Sequence, residues 1–201
     1  MTELFPKHLL EALTDGIFAV AMTLLVIELK VPEREGVHVP ADLALAVARQ
    51  IPMFMAWTIS FFVLGIFWVS QHRLFHFVRS VDGAFTWLTL VYLSLVSLMP
   101  FSSALAGNYA PVLFSQVFYS VNMMMLSGVS LLMSRYLVRH PVLLADALPP
   151  RFYRAAWIRS LGLATVALVA IGIARVVPGA GNAAFMLMMP ITMVSRRLER
   201  G

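Results

Sequence analysis

The first candidate for chemistry is an acid in an apolar run. Asp15 lies six residues inside a stretch spanning residues 9–29, so roughly 9 Å deep at 1.5 Å per residue. An ionisable group within a membrane helix marks a functional site by default. A second apolar stretch returns to the same side and ends on His72, Arg73 and His76. A buried pair between Asp15 and one of these would offset the cost of the charge. The alternative is that Thr14 or Asp15 caps a helix that starts late. His72 and His76 are also four residues apart, on one helical face, so they could bind a metal or haem. In the bland reading they are interfacial, hydrogen-bonded side chains, since no Asp, Glu or Cys completes a ligand set nearby. Met123, Met124, Met125, Met186, Met188 and Met189 could be soft copper ligands or flexible packing residues. Consecutive methionines do not share a helix face, which favours packing. Gly16, Val20, Thr23 and Ile27 fall on one stripe, and Thr23 is the only side-chain hydroxyl between Gly16 and Leu29. Its hydroxyl could bond back to its own helix or face a polar passage. The opposite face is equally apolar, so periodicity leaves both open.

The usual catalytic signatures are missing. The sequence has no His-Glu-x-x-His, no Gly-x-Ser-x-Gly, no Walker loop and no dinucleotide fingerprint. It has no cysteine, which excludes disulfides, a thiolate nucleophile and Cys-ligated metal centres. Glu11 and Asp15 share a helical face, but both lie near one end of the stretch. The sequence therefore points away from an enzyme and calls for no cofactor and no metal.

The elements that must position these residues follow from composition. The chain has 201 residues, 60% hydrophobic and 12% charged. A soluble domain carries about a quarter charged residues, so too little charge is present to cover a globular surface. Crossing the hydrocarbon takes about 20 apolar residues in a helix. Six stretches qualify, at about 9–29, 50–70, 83–105, 110–133, 155–173 and 179–194, the last short and Pro-containing. The first ends in Glu28-Leu29-Lys30 with no small-x-small cleavage site and reads as a retained helix. Eleven of the fifteen Lys and Arg fall on the side holding both termini, which makes that side cytoplasmic. The net charge of +5 is then loop charge rather than a nucleic-acid footprint. The expected fold is all-α: one polytopic membrane domain over residues 1–201, with six transmembrane helices and both termini cytoplasmic.

Residues 8–32, HLLEALTDGIFAVAMTLLVIELKVP, resemble the signature helix of the bacterial transmembrane-protein-175 family of potassium channels. The family carries Arg-x-x-x-Phe-Ser-Asp followed by Gly-x-Phe-Ala-x-Ala-x-Thr-Leu-Leu. Asp15, Gly16, Phe18, Ala19, Ala21, Thr23, Leu24 and Leu25 match it, whereas Leu9, Leu13 and Thr14 replace the Arg, Phe and Ser. Trp68, His72 and Phe75 resemble the end of the family's second helix, and Pro100, Phe101 and Ser102 the end of its third. The resemblance covers most of residues 8–105. It implies a homotetramer in the bacterial inner membrane, with the first helix of each subunit lining a central pore. It places the constriction at Val20 and Ile27, the selectivity layer at Thr23, and the motif's packing on Thr14, Asp15, Gly16, Trp68, His72 and Arg73. K+ would permeate, with weaker Na+, through lipid-embedded subunits. Val20, smaller than the usual Leu or Ile, implies a wider constriction. Glu33, Glu35 and Asp42, repeated fourfold, could form an acidic outer vestibule or be solvated loop charge. Two other readings compete: a secondary transporter, and a membrane-bound cofactor protein using His72 and His76.

Overall fold

The computed structural model describes residues 6–31, 40–188 and 190–192. The first helix, α1 (Lys7–Ile27), starts directly after Pro6, which is extended. It therefore begins well before Thr14 and Asp15, and neither residue caps it. Thr14 is buried within the helix, and its hydroxyl donates to the Leu10 carbonyl at 2.7 Å. Then come α2 (Pro40–Ala48) and α3 (Ile51–His76), the latter with Pro52 in its first turn. Proline is pre-organised there because that N–H has no helical partner.

Asp82 caps α4 (Gly83–Ser97), accepting from the Phe85 amide at 2.8 Å. The same carboxylate accepts from the Tyr136 hydroxyl at 2.6 Å, tying α4 to the end of α6 (Leu113–Arg139). After α4 the chain breaks at Leu98 and resumes as α5 (Met99–Asn108). Pro100 has no N–H to give the preceding turn, so a single span, residues 83–108, is made of two helices. A short 3-10 turn, Pro141–Leu143, leads to α7 (Pro150–Val176) and a 3-10 segment, Gly181–Leu187.

Within the bundle α1 packs on α3, α4 and α5, α6 lies between α4/α5 and α7, and the 3-10 segment rests on α7 and α3. The core includes Phe18, Phe67, Phe75, Phe85 and Tyr92 at the α1–α3–α4 junction. A polar seam crosses it. Ser60 donates to Ser103 at 2.8 Å and meets the Tyr119 hydroxyl at 2.9 Å, while the Asn122 amide donates to Ser102 at 3.1 Å.

Among the described residues five spans are long and apolar enough to cross a membrane: Lys7–Ile27, Ile51–His76, Gly83–Asn108, Leu113–Arg139 and Pro150–Val176. The sixth expected stretch opens as the 3-10 segment and is described only as far as Thr192. Arg159 lies nine residues into α7 and donates to the Ser70 hydroxyl on α3.

Close helix approach sets one testable expectation. A Cβ on Gly107 of α5 would lie 2.9 Å from the Met53 Cα, whereas one on Gly128 of α6 would meet nothing within 4 Å. Gly107→Ala should destabilise the purified protein by about 1–3 kcal/mol through overpacking. Gly128→Ala should be neutral or slightly stabilising. Paired thermal-unfolding curves in detergent check both.

Candidate functional site

The two faces of α1 differ in what they touch. Leu10, Thr14, Phe18, Ala21 and Leu25 are buried against the bundle. Leu9, Leu13, Gly16, Val20, Thr23 and Ile27 are all exposed, and their steps of four, three, four, three and four residues make one continuous stripe on the opposite side. Val20 is 56% exposed and Ile27 67%. Such spacing keeps the six residues on one face of the helix. The sequence had grouped only Gly16, Val20, Thr23 and Ile27. Leu9 and Leu13 extend the stripe by two turns, and their spacing was the signal that could have found them.

Thr23 donates its hydroxyl to the Val20 carbonyl at 2.8 Å. The proton is thus committed to the helix, and the remaining lone pairs of the oxygen lie on the exposed side. A groove of about 370 Å³ runs beside the stripe, lined by Leu13, Gly16, Ile17, Val20 and Leu24, and reaches Ser97 where α4 ends.

Asp15 is exposed and accepts a hydrogen bond from the Trp68 indole N–H at 2.8 Å. The expected buried pair with His72, Arg73 or His76 is therefore replaced by an indole partner one turn deeper in the membrane. His72 lies against Trp68 instead, ring centroids 6.0 Å apart. His76 meets Phe77 edge-on at 5.6 Å. Both imidazoles are exposed, and no group of three His, Cys, Asp or Glu gathers as a metal set among the described residues. The methionines scatter: Met123 and Met188 are buried in the core, and Met125 and Met186 are exposed. Asp42 sits in the first turn of α2, while Glu33 and Glu35 lie outside the described residues.

Comparison with known proteins bears on this helix directly. Residues 9–100 match the sequence profile of the family described as "Endosomal/lysosomal potassium channel TMEM175". A potassium channel of Streptomyces collinus is 40% identical over 99 residues, covering 49% of this chain and 47% of the relative. The endosomal/lysosomal proton channel TMEM175 of Homo sapiens is 30% identical over 109 residues, covering 52% of this chain and 22% of that protein. The chain thus spans about half the length, or less, of the curated relatives it matches. The likeness of fold extends further. The crystal structure of a lysosomal potassium-selective channel TMEM175 homologue from Chamaesiphon minutus superposes with a TM-score of 0.78 and 26% identity, covering 94% of this chain and 97% of that one. Residues 9–100 are thus similar to the TMEM175 family of ion channels, and the chain as a whole has the fold of that Chamaesiphon minutus homologue.

Proposed function

We propose that this protein is a passive, potassium-preferring cation channel, with weaker Na+ passage, formed by four copies of the chain around a pore lined by α1. The observation that carries the reading is the exposed stripe on α1, opposite a face that its own subunit fully packs. It lies inside the segment that matches a family of channels. In this reading each subunit crosses the bacterial inner membrane six times, with the stretch at 179–194 as the last span and both termini cytoplasmic.

Val20 and Ile27 supply apolar rings, and a pore ringed by four such side chains closes by dewetting without a plug. Thr23 lies between them. Its proton is bonded backwards, so four outward oxygens, or waters they hold, replace part of the hydration shell of a dehydrating cation. Few oxygens coordinate, so selectivity is modest. The Asp15–Trp68 hydrogen bond holds α1 against α3 at the level of Gly16. The outer acids Glu33, Glu35 and Asp42, repeated fourfold, concentrate cations before they enter. No step needs a cofactor or a covalent intermediate, and the chain acts as a channel rather than an enzyme.

The test is cation flux into liposomes holding the purified protein. Wild type should pass K+ faster than Na+, and Thr23→Ala should narrow that difference. No flux of either cation from a tetramer, or selectivity untouched by Thr23→Ala, would overturn the reading. Val20→Leu adds one methylene to each of four facing side chains and should lower K+ flux in the same assay. Trp68→Phe keeps an aromatic, though smaller, side chain and removes the donor to Asp15. A hydrogen bond to a charged group is worth about 1.5–3 kcal/mol, and the exposure of this one places it at the low end. Lower thermal stability with the subunit count unchanged is the expected readout.

A further inference from the structure

The cytoplasmic end of α1 carries a contact that the proposed function does not use. Lys7 is the first residue of the helix. A cation there faces the positive end of the helix dipole. Its neighbour Glu11 lies 3.7 Å away at i, i+4, with the Lys N-terminal to the Glu, which is the weaker order for such a pair. Neither feature explains a Lys at this position. Across the interface, however, the Lys7 ammonium donates to the carbonyl of Phe75 at 3.2 Å. Phe75 is in the last turn of α3, which ends at His76. The Phe75 carbonyl accepts the Val78 amide at 3.0 Å, which leaves its second lone pair for the ammonium, and the dipole at this end is negative. The α3 terminus is therefore a site that favours a cation, and α1 supplies one.

We propose that Lys7 is a positioning residue that sets the axial rotation of α1, and with it which side chains reach the pore. The inference rests on the α1-lined pore proposed above. Two ties join α1 to α3: Lys7 to Phe75 and Asp15 to Trp68. They are eight residues apart on α1 and seven on α3 in the opposite direction, as an antiparallel pair requires. At 3.6 residues per turn, Lys7 points almost directly away from the stripe of Val20, Thr23 and Ile27, and Asp15 lies to one side of that back face. Two ties at different heights and different azimuths resist rolling of the helix more than one tie does, and they add to the resistance of the packed apolar face. A roll of one residue position is about 100° and would carry Thr23 out of the stripe altogether. A much smaller roll already turns its oxygen off the axis.

The test compares Lys7→Met with Lys7→Arg in reconstituted tetramers, reading the K+/Na+ permeability ratio and unit conductance of single channels. Single-channel readouts are chosen because a purely structural role would lower the amount of folded protein without changing the channels that survive. Lys7→Met should change the ratio by about twofold or more, the lower end of what a remote contact transmits. Lys7→Arg keeps a cationic donor and should restore it. A Lys7→Met ratio and conductance equal to wild type, while Thr23→Ala shifts them, would overturn the lock and leave the pore assignment standing. If neither variant shifts them, the pore assignment itself fails. Should Lys7→Met not assemble, Glu11→Gln provides the second arm. It removes the weaker ion pair and leaves the Phe75 carbonyl contact, so the ratio should stay at wild type, and a shift there would overturn the proposal.

Discussion

The hydrogen bond from the Trp68 indole to Asp15 joins two residues 53 apart in the chain and ties α1 to α3. The carboxylate on α1 finds its donor on α3, in the indole N–H of Trp68. The back face of α1 then closes over Phe18, whose ring lies 6.0 Å from that of Tyr92 on α4. Phe67 on α3 meets the same tyrosine from the other side, at 6.5 Å. Tyr92 of α4 thus joins α1 to α3, and none of these contacts reaches round to Val20, Thr23 or Ile27. A helix fixed on one side and bare on the other presents its exposed residues in a defined direction.

The bundle behind α1 is not uniformly apolar. Ser60, Ser103 and Tyr119 bond to one another across α3, α5 and α6. Their pairing at the depth of a membrane span fixes the rotation of each helix, because any slip leaves hydroxyls without partners in hydrocarbon. Asn122 does the same beside the α4–α5 break, donating to Ser102. Small residues let these helices close in. Gly107 approaches the Met53 backbone, and Gly181 brings the last segment against the Gln116 side chain and the Ala170 carbonyl. The seam and the glycines together make α3–α6 a firm backing for α1.

Hydropathy made five of the spans legible, because a run of apolar residues long enough to cross the hydrocarbon has few other readings. It placed the helix ends less well. α3 continues through His76 and α7 begins at Pro150, so Arg73, Arg151 and Arg154, which lie outside the stretches read from hydropathy, are helical. The break at Leu98 was invisible as a boundary, since both halves are apolar and only Pro100 marks it. In the candidate site, spacing gave the stripe on α1 but not which face was open, and burial resolved that. The partner of Asp15 was misplaced by one turn. Charge complementarity drew attention to His72 and Arg73, whereas the group at the right depth was a neutral indole. No sequence rule ranks an indole N–H above a cation for a carboxylate; the choice depends on the height at which two antiparallel helices meet.

That height also bears on the replaced residues. Position 9, where the resemblance expects Arg, holds a leucine that is 62% exposed on the same side as Val20. An Arg there would have pointed its charge into the stripe unless its long side chain turned back toward the bundle. Leu9 makes no such demand and continues the apolar character of the face. The cation at this end comes instead from Lys7, two residues earlier and about 160° round the helix at 3.6 residues per turn, where the α3 carbonyl receives it. The substitution therefore relocates positive charge from the exposed face to the packed one. A leucine at position 9 adds no like-charge repulsion on the exposed face, and the end of α1 still has a charged tie to its neighbour.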